Sequence, residues 1–169
     1  MKKIITMILI ALLALSTTAF ATIYRHYDDI TFEYDDTLFE ISMDDHTDNE
    51  DLIILTGKDT AWGNTFIRIH LRDLDDGEHF PTKDEFTPLA DVEVTQGDWN
   101  GYKNVFMYTI EDEDGNSDNF FIAPVTDGDG EVEDILTVEI SVSKIDDEDT
   151  AMGRDDAISA VVDSLKIDA

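Results

Sequence analysis

Cysteine is absent from this chain, and its absence excludes disulfides, thiolate zinc sites and cysteine nucleophiles. Basic residues are scarce: 11 Lys and Arg stand against 40 Asp and Glu, a formal charge of −29. Phosphate recognition runs on clustered Lys and Arg, so nucleic acid and anionic lipid are excluded as partners. Catalytic signatures are missing as well. The chain has no GxSxG elbow, no HExxH zinc motif and no Gly-rich phosphate loop ahead of a helix. His26, His46, His70 and His79 fall in separate segments without ligand spacing. No catalytic residue is assigned, because a glycosidase-like carboxylate pair arises by chance among so many acids.

The one long apolar run lies at the start. MKKIITMILIALLALSTTAFA places Lys2 and Lys3 before an apolar stretch from Ile4 to Leu15, followed by the small-x-small site Ala19-Phe20-Ala21. The run is shorter than the roughly 20 residues a bilayer needs, so residues 1–21 read as a secretory signal peptide and not as an anchor. No Cys follows for lipid attachment. The expected product, residues 22–169, is secreted or extracytoplasmic, free of the membrane, and the size of one domain that folds without staples. Cleavage removes two basic residues and no acidic ones, which moves the charge from −29 to −31.

Of the 40 acids, 28 are Asp, spread along the chain and often paired, as at Asp35-Asp36, Asp44-Asp45 and Asp75-Asp76. Asp favours turns and caps over strand interiors, so the pairs mark element ends. Alternating segments lie between them. Ile30, Phe32 and Tyr34 share a face, as do Phe39, Ile41 and Met43; Leu52 to Leu55 is a wholly apolar strand. Ile67, Ile69 and Leu71 oppose Arg68, His70 and Arg72 on the next. In FPTKDEFTPLADV, Thr82 and Glu85 form a capping box, but Pro88 stops any helix within about two turns, so a short helix or an irregular connection is expected there. Strands resume at Val92 to Thr95, pass the turn QGDWNG, and continue through Tyr102 to Ile110, Asn119 to Thr126 and ILTVEISVS. Ile158, Val161, Val162 and Leu165 then recur at helical spacing, with Asp155 and Asp156 placed in the first turn of an amphipathic helix. The fold class is α+β: an antiparallel sheet packed against a C-terminal helix and one short central helix.

This order of elements resembles the PsbP-like fold group, which includes many exported prokaryotic members of unknown role. The matching pieces are ITFEYDDTLFEIS, LIILTG, GYKNVFMYTIEDEDGNSDNFFIAP, ILTVEISVS and DDAISAVVDSLKI. The resemblance implies a sandwich of sheet and helices across residues 22–169 and a binding or accessory role. It carries over no catalytic residues.

Three groups of residues invite a ligand. Asp112, Asp114, Asn116 and Asp118 have the spacing of calcium ligands, but Ser117 and Ala123 stand where an EF-hand needs Gly and Glu. Asp127 and Asp129 belong to a second acidic loop that fails the same count. An eight-residue strand between the loops puts them about 26 Å apart, so they share no ion. The alternative is that Asp114-Gly115 is a hairpin tip. Calcium is the only cofactor in question. Arg68, His70 and Arg72 would receive a carboxylate or phosphate, or else pair with acids such as Glu139 across the sheet. Trp62, Trp99 and Tyr102 form a sugar platform or serve as partly buried anchors. The function expected is a secreted, non-enzymatic binding or accessory domain meeting a protein or small molecule. The alternatives are a calcium-binding or salt-adapted acidic surface protein and, third, a secreted hydrolase using carboxylates.

Overall fold

The computed structural model describes residues 21–27 and 29–168, so the signal-peptide reading lies outside the described residues except for Ala21. The elements run β1 (Thr22–His26), β2 (Ile30–Tyr34), β3 (Phe39–His46), β4 (Glu50–Gly57), a single 3-10 turn (Thr60–Trp62), β5 (Phe66–Asp73), β6 (Thr95–Trp99), β7 (Tyr102–Glu111), β8 (Ser117–Thr126), β9 (Val132–Val142), α1 (Glu148–Ser164) and β10 (Lys166–Ile167). Seven strands form one antiparallel sheet in the order β3-β4-β5-β9-β8-β7-β6, and β1, β2 and β10 form a small second one.

The inner face of the large sheet carries the alternating apolar set. Ile53, Leu55, Ile67, Ile69, Leu136 and Val138 are buried there against Ile30 and Phe32 of β2 and against Ile158, Val161 and Val162 of α1. Removing that apolar surface from water is the main stabilising contribution, at about 25 cal/mol per Å². The helix is the amphipathic one the periodicity predicts, but it starts a full turn and more earlier. Asp147 caps it by accepting from the Thr150 N–H at 2.9 Å, and Glu148 and Asp149 occupy the first turn. Asp155 and Asp156 therefore lie in mid-helix. Beside them Arg154 is buried, donating to Asp155 Oδ1 and to the Ser143 carbonyl.

Two further expectations are corrected. The central segment makes no helix among the described residues. The capping box does form: Glu85 Oε2 accepts from the Thr82 N–H and hydroxyl at 2.8 Å each, and Thr82 O accepts from the Glu85 and Phe86 N–H groups. Only one turn results, because Pro88 has no N–H to extend it and Phe86 is drawn onto Phe106, ring centroids 4.3 Å apart. Residues 74–94 thus run as an irregular strap over the outer face of β7 and β8, with Phe80 also stacked on Phe106. In QGDWNG, only Asn100 and Gly101 turn. Thr95–Trp99 is strand, and both turn residues take positive φ (47° and 86°), as a two-residue hairpin requires.

The face of Met43 also differs. A bulge shifts the β3–β4 register between Ile41 and Met43. Ile41 stays on the core side, whereas Met43 turns outward and is 45% exposed. The same shift turns Asp44 and His46 inward.

Candidate functional site

The basic row lies on the outer face of β5, and carboxylates meet each member. Arg68 Nη1 is 2.6 Å from Glu139 Oε2, directly across the ladder from it. Arg72 grips Glu78 with two bonds of 3.0 and 2.7 Å, and His70 Nε2 lies 3.2 Å from Glu50. The Arg72 hydrogen bonds hold the Glu78 carboxyl down at about 2. Burial raises the Glu139 carboxyl in spite of Arg68. Arg68 and His70 therefore have the cross-strand pairing expected as their alternative role, while Arg72 pairs instead with the strap. Yet Arg68 and His70 also line a groove. Met43, Leu52 and Ile54 supply its apolar wall, and its volume is about 410 Å³. Ile54 and Arg68 continue into a second depression of about 360 Å³ toward Phe66. The strap covers the β7–β8 half of this face; among the described residues nothing covers the β4–β5 half.

The acidic loops use their carboxylates in turns. Asp112 Oδ1 accepts from the Asp114 and Asn116 N–H groups at 2.9 Å each, and its Oδ2 accepts from the Asn116 side chain. These bonds lower the Asp112 carboxyl. Asp127 repeats the device with Asp129 and Glu131. Gly115 and Gly130 supply the positive φ each turn needs, 82° and 88°. Asp118 lies on β8 past the first tip, and with Asp112 and Asn116 it lines a depression of about 230 Å³. Trp62 is buried against Phe39, and Trp99 stacks on Phe121 with Tyr102 alongside. The three aromatic residues anchor two places in the core and form no common platform.

Sequence spacing missed the most concentrated chemistry. His26 of β1, His46 of β3 and Asp51 of β4 converge where the small sheet meets the edge of the large one. Asp51 Oδ1 lies 2.9 Å from His26 Nε2 and 2.5 Å from His46 Nδ1. His26 is 1% exposed and Asp51 6%. The other nitrogen of His26, Nδ1, lies 2.7 Å from Asp44 Oδ1, and the Tyr24 hydroxyl donates to Asp44 Oδ2. Burial, then the Asp44 bond, pushes the Tyr24 hydroxyl up, and the bond to Asp51 raises His46. Tyr27, at φ 45°, stacks on the His46 ring at 4.0 Å and meets His26 edge-on at 4.7 Å. Two residues had a findable signal: His46 and Asp51 are cross-strand partners flanking the β3–β4 turn. His26 had none, since only tertiary packing brings β1 there.

No known protein family has a model that matches this chain, and no curated protein matches it. Among the described residues no helix is long and apolar enough to cross a membrane.

Proposed function

We propose that the chain is an exported binding domain, without an enzymatic step of its own, that holds a small molecule or peptide with an apolar body and one anionic group along the outer face of β4 and β5. The observation that supports this reading is the open half of that face. Leu52 and Ile54 come from a strand that is apolar on both sides, a pattern that calls for cover on both, and among the described residues only the inner side is covered. Arg68 and His70 edge the same groove, with Asp45 and Glu50 also at its rim, so an anionic group beside the apolar wall would meet Arg68 and His70 by exchanging with the carboxylates they now hold. The resemblance of the element order to the PsbP-like group agrees with a binding role.

The test uses 1-anilinonaphthalene-8-sulfonate, an apolar anion whose fluorescence rises on burial. Saturable binding near one per chain is expected. Ile54→Glu should abolish it and Arg68→Gln should weaken it about tenfold, the worth of one charge-assisted hydrogen bond. Binding unchanged in Ile54→Glu would count against the groove.

A further inference from the structure

We propose that His26, His46 and Asp51 form a binding site for a divalent transition-metal ion of the zinc class. This site is independent of the groove, because it lies on the inner side of the β3–β4 edge. Three donor atoms of suitable kind, two imidazole nitrogens and one carboxylate oxygen, lie within 4.8 Å of one another. A tetrahedral shell with bonds of about 2.0–2.1 Å separates its donors by about 3.4 Å. The present separations of 2.9 and 2.5 Å are hydrogen-bond lengths, and they open to that value when one ion replaces the protons between the pairs.

The surroundings are those of a metal centre. A ligating histidine generally gives its second N–H to a carboxylate, which fixes the tautomer and aims the free lone pair at the ion. Asp44 stands in that position at 2.7 Å from His26 Nδ1, and Tyr24 in turn holds Asp44. With the proton on Nδ1, Nε2 is left free beside Asp51. Tyr27 packs against both rings and limits their rotation.

The donor set decides the class of ion. Two imidazoles favour zinc, copper, nickel or cobalt, whereas calcium takes six to eight oxygens, far more than this cluster offers. Three protein ligands leave a fourth position for water or an external group. The ion would tie β1 to the β3–β4 hairpin, joining three chain segments at one point.

The experiment titrates the purified protein with zinc, with cobalt and with calcium, by calorimetry and, for cobalt, by visible absorption. One zinc per chain is expected, bound at least a hundredfold more tightly than calcium, and cobalt should give the intense bands of a four-coordinate site. His46 is half-exposed, so His46→Ala keeps the fold and should weaken zinc at least tenfold. Tyr24→Phe, which loosens Asp44, should weaken it about tenfold. A second measurement needs no variant: bound zinc should protect His46 from diethylpyrocarbonate, read by mass spectrometry. Zinc bound no more tightly than calcium, unchanged affinity in His46→Ala, or His46 modified equally with and without zinc would each overturn the site.

Discussion

Asp134 and Asp73 sit opposite each other on β9 and β5. Burial first, then the charge and hydrogen bond of Asp73, pushes the Asp134 carboxyl up to about 6 from an ordinary 3.8. Between those values the folded chain binds the proton more tightly than the unfolded one, so this stabilisation is complete below about 4 and is lost as pH rises through about 6. Glu78 and Glu85 behave in the opposite sense. Both are held at about 2, Glu78 first by Arg72 and Glu85 first by the Thr82 N–H; their contribution is present above about 4.5 and fades as pH falls toward 2. Asp134→Asn should therefore stabilise the protein at pH 7.5 by about 1 kcal/mol, after allowance for solvent screening, and should change it little at pH 4. Urea unfolding at both pH values reads the difference, and an equal effect at the two would refute the account. Alternation made the Arg68–Glu139 pair legible at this scale. The Asp134–Asp73 pair needs the β5–β9 register, which no local pattern contains.

Among the elements, the last turn of α1 has no basic residue to meet its free carbonyls. Asn100 takes that role from the β6–β7 turn, its Nδ2 donating to Val162 O at 2.8 Å and Leu165 O at 3.2 Å. A residue 62 positions earlier in the chain thus caps the helix and binds it to the sheet. Asn100→Gly keeps the positive φ and loses both bonds, and should cost about 1 kcal/mol. Asn100→Ala adds backbone strain and should cost about 2 kcal/mol. Denaturant midpoints for the two variants test this; a glycine variant as stable as the parent would remove the cap from the account. Strand and helix existence followed from periods of two and 3.6, which is why most elements lie where the pattern places them. Boundaries did not follow. The Thr82–Glu85 box signals a helix start truthfully, but the pull of Phe86 onto Phe106 and the block at Pro88 decide how far it runs.

For the whole molecule, a formal charge of −29 over 169 residues makes self-repulsion a global term that favours the expanded state. Screening contracts from about 30 Å at 0.01 M salt to 3 Å at 1 M, so the thermal midpoint should rise by several degrees over that range in sodium chloride. A midpoint that stays flat would mean that the acids are already compensated locally. Composition and alternation alone determined the acidic surface, the antiparallel sheet with its closing helix, and the exclusion of thiol chemistry, because these depend on residue type and on periods of two or 3.6 within one segment. Tertiary structure decided what lies between segments. The bulge after Ile41 reverses the faces of β3, sending Met43 to the groove and His46 to the core side; the docking of β1 then carries His26 to Asp51. Both events turn on which strand edges meet, a free energy summed over the whole core, and so residues 25 apart in sequence became neighbours without any spacing to announce it.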